Sequence, residues 1–179
     1  MTPVKSTVLV ACMVTLLIVC SWLSIPLPIP VTLQTFGLFL LGGLLPPKQR
    51  LATVAVYLML GAIGLPVFAS FQGGVGILFG PTGGFLLGFF PAVLVMGLGS
   101  KTTCHPLKIA ASLAAGLAII YTGGTLWYTL GFARGNGGIV TALGLCVVPH
   151  LLPDLAKLAV AVPLIGKLRP LLGRLGENG

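Results

Sequence analysis

Long uninterrupted apolar runs alternate along this chain with short segments that carry nearly all of its charge. Six runs can be drawn, at about 6–25, 33–46, 50–64, 83–99, 106–130 and 138–166. Their continuity argues for helices, because a transmembrane β-strand shows only about ten residues of alternating character. A helix needs roughly 20 apolar residues to cross a bilayer upright. The second and third runs are short for this and are expected to lie half-buried or to continue into partly structured loops. The runs stop where chemistry demands it. Pro26, Pro28 and Pro30 end the first and hold the chain extended. Pro46 and Pro47 end the second, and Gly64-Leu65-Pro66 ends the third. Between the third and fourth, residues 68–84 are uncharged and too rich in glycine for a regular helix. Non-helical backbone at membrane depth is tolerated only where protein covers it or where it lines a cavity. Segments interrupted by Gly and Pro are the best pointer to a transporter's binding site. With six spans, both extended stretches, 26–35 and 65–84, come out on the same side.

Composition fits this pattern. Hydrophobic residues make up 56% and charged residues 7% of the 179 residues, where a soluble domain carries about 25% charged. Mean hydropathy is +1.12. The fold class expected is an all-α integral membrane protein, one domain over residues 1–179, built as a compact bundle of six transmembrane helices. The first run resembles a signal peptide's apolar region. It is too long and lacks an A-x-A cleavage site, so it is read as a retained span. A net charge of +8 would suggest nucleic acid in a soluble protein. Here Lys5, Lys48, Arg50, Lys101, Lys108, Lys167, Arg169 and Arg174 lie in segments that six spans place on one side, with Arg134 alone on the other. The positive-inside rule then puts both termini in the cytoplasm and the Pro- and Gly-rich stretches outside. No nucleic-acid partner is expected. The location expected is a bacterial-type cell membrane (inner or plasma), crossed several times.

Within the sixth run stand Asp154 and Lys157; the only other acidic residue is Glu177. A charge at the centre of a bilayer costs roughly 2.5–3.5 kcal/mol on insertion scales, so neither faces lipid. At a spacing of i, i+3 both project from one helix face, which makes the pair a candidate functional site. The plain alternative is an ion pair that only locks the helix to its neighbours. Thr32, Gln34 and Thr35 place hydroxyl and amide groups at the outer end of the second span, where a glutamine offers a ligand both donor and acceptor. Gly73-Gly74-x-Gly76 and Gly80-Pro81-Thr82-Gly83-Gly84 allow close backbone approach to a ligand, but lack the lysine of a nucleotide-binding Walker loop. Tyr121 lies deep enough in the fifth span to line a pocket, while Trp127 and Tyr128 read as belt residues at the headgroups. His150 reads as a capping or interfacial residue. Neither it nor His105 has a partner at metal-ligand spacing, and Cys12, Cys20, Cys104 and Cys146 form no C-x-x-C pair, so no metal, disulfide framework or other cofactor is expected. The near-absence of ionisable groups argues against an enzyme; apolar walls with a few convergent polar groups suit a small-molecule binder. Ala11-x-x-x-Thr15, Ala110-x-x-x-Ala114 and Ala111-x-x-x-Ala115 carry the small-residue spacing that lets helices approach closely, in ordinary packing or against a membrane partner.

Four ordered segments closely resemble the BioY family: Val31-Thr32-Leu33-Gln34-Thr35-Phe36, Leu60 to Ala69 (LGAIGLPVFA), Gly80 to Phe89 (GPTGGFLLGF), and Pro153-Asp154-Leu155-Ala156-Lys157. The resemblance covers nearly the whole chain, from about Val8 to Leu168. It implies a six-helix, biotin-binding S component of an energy-coupling-factor (ECF) transporter, which takes up biotin from the outer side. It further implies a partner module of one transmembrane coupling subunit and two ATPases, which some members are thought to do without. Biotin would be bound as substrate rather than cofactor, with 26–35 and 65–84 closing over it. Asp154, helped by Gln34 or Ser70, would read the ureido group, and Lys157 would hold either the carboxylate or Asp154. Phe68, Phe79 and Phe85 with the glycine loop would pack the rest, the loop supplying Gln72, Gly74, Thr82 and Gly83; Thr32 and Tyr121 complete the substrate-binding set. Ala11 and Thr15 would dock the coupling subunit. The chain departs from the family in having Pro153 where members often carry glycine, and Ser70-Phe71-Gln72 where some carry asparagine or glycine. The alanine-rich motif of the first helix survives only as Ala11-x-x-x-Thr15. Two other readings stand beside this one: an S component or facilitator for another small vitamin, and a small membrane scaffold whose Asp–Lys pair is structural.

Overall fold

The apolar runs fold as helices in the computed structural model, which describes residues 3–99, 105–132 and 138–177, with side chains as far as Leu172. Lys101, Cys104 and Arg134, and the side chains of Arg174 and Glu177, lie outside the described residues. In chain order the helices are α1 Pro3–Trp22, α2 Gln34–Leu44, α3 Pro47–Ala62, α4 Val75–Leu78, α5 Gly83–Met96, α6 Pro106–Gly131, α7 Gly138–Cys146 and α8 Val148–Glu177. Residues 3–22, 106–131 and 138–172 form stretches long and apolar enough to cross a membrane, and α2 and α5 are shorter apolar helices. The chain is an all-α membrane protein with one small hairpin.

The last apolar run divides into two helices. Val147 forms a turn between α7 and α8; Pro149 has no N–H to bond the Leu145 carbonyl and its ring crowds that carbonyl, while proline suits the first turn of a new helix. Beyond it α8 continues through Pro153, Pro163 and Pro170 to Glu177, well past the expected end at 166. The expected spans 33–46 and 50–64 correspond to α2 and α3 with the bounds given above.

At the centre lies α2, only 11 residues long and packed on α1, α5, α6 and α8. Leu38, Phe39 and Leu41 are wholly buried, in one cluster with Leu17, Tyr57, Met96, Leu113 and Ile165. The most extensive helix pair is α5 with α6. Gly84, Gly88 and Ala92, spaced one turn apart, let the backbones meet. A side chain at Gly84 would collide with Trp127 and the Gly123 carbonyl, and one at Gly116 would collide with Met96. The small residues in use are therefore these, and not the Ala110–Ala115 set, of which Ala111, Ala114 and Ala115 are exposed. Ala11 and Thr15 also lie exposed, on the outer face of α1.

The proline-rich stretch forms an antiparallel hairpin, β1 Ser24–Ile25 with β2 Val31–Thr32, pairing Ser24 with Thr32 and Ile25 with Val31. The 65–84 stretch holds a 3-10 turn at Ala69–Phe71 and the single turn of α4. It is fastened at both ends. Trp22 Nε1 donates to the Pro66 carbonyl at 2.7 Å, Tyr57 to that of Val67 at 3.1 Å, and the Gly74 amide to that of Gly61 at 2.7 Å. Trp127, expected at the headgroups, instead donates its indole N–H to the Gly80 carbonyl at 3.0 Å. At the opposite end of the bundle, Gln49 at the start of α3 donates to Ser6 of α1 at 2.9 Å, and Ser112 of α6 to the Met96 carbonyl of α5 at 3.0 Å. Apart from Lys157, the basic side chains described (Lys5, Lys48, Arg50, Lys108, Lys167 and Arg169) all belong to segments at that end.

Close packing at Gly84 predicts that Gly84→Val forces α5 from α6 at a cost of roughly 1–3 kcal/mol, the usual range for overpacking. Gly144→Val, where a Cβ meets nothing, should be near neutral. Thermal unfolding of both variants in one detergent checks this; equal midpoints would refute the packing argument.

Candidate functional site

Asp154 is 1% exposed and Lys157 12% exposed, and Lys157 Nζ lies 2.6 Å from Asp154 Oδ1. Two ions taken out of water stay ionised only when the remaining lone pairs and protons are satisfied. Here they are, by residues from three other elements. Thr35 of α2 donates to Asp154 Oδ1 at 2.7 Å, and Tyr121 of α6 donates to Oδ2 at 2.7 Å. Lys157 donates to the Thr32 carbonyl of β2 at 2.6 Å and to Thr35 Oγ1 at 3.1 Å. All three ammonium protons are thereby used. On Asp154, Oδ1 carries two donors and Oδ2 one, so Oδ2 keeps one acceptor position free.

Asp154 lines a cavity of about 460 Å³, within the roughly 300–1,000 Å³ common for small-molecule sites. Of the residues singled out from the sequence, Thr32, Gln34, Tyr121 and Asp154 line its helical side, with Phe85. Phe68, Ser70, Gln72 and Thr82 line the side formed by the 65–84 loop. Four do not line it. Lys157 sits behind Asp154, and Phe79 is 69% exposed at the loop's outer edge. Gly74 shapes the loop, with φ of 103° and its amide bonded to Gly61. Gly83 is where the loop meets α5 and where a Cβ would strike the Leu78 carbonyl.

Gln34 is 7% exposed, and its orientation is set from outside the cavity. Its Nε2 donates to Tyr57 Oη at 2.7 Å, and Tyr57 passes its own proton to the Val67 carbonyl. That leaves the Gln34 carbonyl oxygen as the acceptor without a protein donor among the described residues. Phe68 packs edge-on to Tyr57 at 5.5 Å and fills the space over Gly61, so the α3 glycine sets where the loop's aromatic ring sits. Beyond it Ser70 and Phe71 both adopt left-handed backbone, φ 56° and 57°. Each such non-glycine conformation costs on the order of 1 kcal/mol or more, and strain of this kind concentrates at binding sites.

Several wall residues escape sequence reasoning. Thr35 stands beside Gln34 in the polar cluster, but only the fold shows that its hydroxyl bridges both charges. His150 lines the cavity, with Nε2 3.3 Å from the Pro30 carbonyl; its spacing of i, i+4 from Asp154 was a readable signal that both share a face. The hairpin residues Pro26 to Pro30 form the remaining cover. Tyr57, which never touches the cavity, is legible only as a lone phenol in an apolar helix. Among the described residues no cluster of His, Cys, Asp or Glu could hold a metal.

The arrangement is chemically a receptor. One side offers anionic and amide acceptors held rigidly by buried hydrogen bonds, and the others offer prolines, phenylalanines and hydroxyls. Comparison with known proteins agrees in extent and in kind. The model of the BioY family matches residues 1–174. A biotin transporter BioY from Thermotoga maritima is 43% identical over 157 residues, covering 87% of this chain and 90% of the relative. A probable biotin transporter BioY from Pyrococcus horikoshii is 37% identical, covering 92% and 96%. A 2.1 Å crystal structure of the S-component for biotin from an ECF-type ABC transporter superposes with a TM-score of 0.84 at 27% identity, covering 95% of both chains. With its four motifs folded around one cavity and residues 1–174 matched, the chain belongs to the BioY family.

Proposed function

We propose that this protein takes up biotin, binding it in the cavity between the hairpin, the 65–84 loop and the outer ends of α2, α6 and α8. It acts as the S component of an ECF transporter and not as an enzyme. The observation that carries the reading is the single acceptor position left on Asp154, a carboxylate otherwise sealed by Lys157, Thr35 and Tyr121. A ureido N–H fits that position, and the Gln34 carbonyl beside it accepts a second. Phe68, Phe85 and the hairpin prolines pack the thiophane ring and chain. No lysine or arginine is in the wall, so the ligand carboxylate is left to hydroxyl donors such as Ser70 and Thr82. Lys157 works by holding the Asp154 carboxyl group in place, since its three donors are already engaged.

The described basic residues other than Lys157 gather opposite the cavity, which supports six crossings of the cell membrane, cytoplasmic termini and a binding site facing outward. Energy then comes from a transmembrane coupling subunit and two ATPases, reached through a lipid-facing helix surface. The exposed pair Ala11 and Thr15 supports α1 as that surface, Thr15 having turned its hydroxyl to the Ala11 carbonyl at 3.0 Å so that no polar proton faces the partner.

Equilibrium binding of radiolabelled biotin to the purified chain tests the first claim. Asp154→Asn should raise the dissociation constant about 10–100-fold, the worth of one hydrogen bond to a charged group. Wild-type affinity in a folded Asp154→Asn sample would end this assignment. Lys157→Met should destabilise the fold by about 3–5 kcal/mol, as expected when one partner of a buried pair is removed. The double variant Asp154→Asn/Lys157→Met should recover much of that loss while binding biotin no better than Asp154→Asn; additive losses in the thermal midpoints would count against a coupled pair. Ala11→Trp should leave binding to the isolated chain unchanged and cut biotin uptake in cells that express the ATPase module. Undiminished uptake would remove α1 from the docking surface.

A further inference from the structure

Arg50 is 3% exposed, as deeply buried as the apolar core. Its Nε and Nη1 are buried with no hydrogen-bond partner among the described residues. A guanidinium cannot shed its charge, so burial without a partner is costly unless a compensating group joins it. Among the described residues none bonds these two nitrogens. The chain's two acidic residues are Asp154, which lines the other cavity, and Glu177, whose side chain lies outside the described residues. The residue that shares the site with Arg50 is a second cation, half-buried Arg169 of α8.

Both arginines line a cavity of about 180 Å³ with Gly43 to Pro47, the corner between α2 and α3. It shares no residue with the biotin cavity. The two lie at opposite ends of α2, about 15 Å apart by the 1.5 Å rise of a helix. Three further features favour negative charge in this corner. The 16-residue α3 begins here, without an acidic residue in its first turn or a side-chain cap, so its positive dipole end is unanswered. The guanidinium lies against Gly97, where any side chain would overlap it, so the absence of a side chain there admits it. The C-terminal end of α2 contributes partial negative charge, yet no carbonyl in it bonds Nε or Nη1.

We propose that Arg50 and Arg169 form a binding site for a phosphate-type oxyanion at the α2–α3 corner, the planar fork of Arg50 taking two oxygens and Arg169 a third contact. Guanidinium forks match phosphate geometry. The corner belongs to the basic end of the bundle, where helices leave the apolar layer and phospholipid headgroups are the densest source of such anions. Free phosphate carries the same chemistry. Bound there, the anion neutralises the buried guanidinium and joins α3 to α8. The proposal is independent of the ligand in the other cavity.

The full chain, purified in an uncharged maltoside detergent and stripped of lipid, is titrated with phosphatidylglycerol, diacylglycerol (the same chains without phosphate) or inorganic phosphate. Thermal midpoints and lipid adducts in native mass spectrometry are followed. Phosphatidylglycerol should raise the midpoint saturably, as any ligand of the folded state does, and remain as an adduct where diacylglycerol does not. Saturation by millimolar phosphate alone would also support the site and identify the free ion as its occupant. Arg169→Gln, at a half-buried position that folding tolerates more easily than Arg50→Gln, should raise the half-saturating concentration about tenfold or more. Gln34→Leu, at the other end of α2, should leave it unchanged. An identical response to the two lipids with none to phosphate, or an unaltered titration in Arg169→Gln, would overturn the proposal and leave the guanidinium to a carboxylate of a partner subunit.

Discussion

The structure depends on keeping two opposite charges ionised inside an apolar bundle. Asp154 and Lys157 attract each other strongly there, but attraction alone does not repay their desolvation; the remaining donors and acceptors must also be met. Meeting them fixes the fold. Thr35 must come from α2, Tyr121 from α6, and the Thr32 carbonyl from the hairpin strand, so three separate segments converge on one turn of α8. A pair that only locked helices would be closed on every side. Here Oδ2 keeps one acceptor position, and Asp154 lines a cavity. The group of atoms that ties these segments together is therefore also part of a cavity wall.

The cover over the cavity obeys a related economy. A loop at this depth carries backbone groups that apolar surroundings cannot satisfy, so its carbonyls are met by side chains fixed in helices. Trp22 and Tyr57 hold its beginning and Trp127 its end, each by a ring N–H or O–H directed at a carbonyl. Amphipathic rings suit this task because the ring packs while the polar tip bonds. Between those anchors the chain is strained at Ser70 and Phe71, and Phe71 rests on Trp22 with ring centroids 5.0 Å apart. The fixed ends hold a strained middle over the ligand space.

How much of this the sequence discloses depends on whether a feature is local. Apolar runs, proline stops and the i, i+3 spacing of Asp154 and Lys157 are properties of single segments, and they can be read before any contact is known. The same holds for the polar cluster at 32–35 and the glycine loop, most of which does line the cavity. What escapes reading is which face of a helix meets which neighbour. Gly84-x-x-x-Gly88-x-x-x-Ala92 and Ala110-x-x-x-Ala114 look alike on paper, since both are small residues at turn spacing. Only the first lies in a helix contact, because the ring of Phe85 and the indole of Trp127 fill the gaps around it. Trp127 itself has the composition and depth of a headgroup anchor, and nothing local says that Gly80 will come within its reach. Arg50 is the same problem with opposite sign. Beside Lys48 it counts as one more topogenic charge, and only the position of α5 and α8 makes it buried.

A short central helix links these features. At 11 residues α2 spans about 16 Å, roughly half of a 30 Å hydrocarbon layer. Both of its ends must therefore lie inside the protein's depth, each with unsatisfied amides or carbonyls. At the N-terminus the Gln34 amide reaches Thr32 Oγ1 at 3.2 Å, and the same turn supplies Thr35 to Asp154. At the C-terminus the chain reverses through Pro46 and Pro47 directly into α3, bringing Arg50 inward. A helix long enough to cross the layer would carry its ends into water and need neither arrangement. Shortness at the centre creates two polar enclosures on one axis, one lined by acceptors and the other by guanidinium groups.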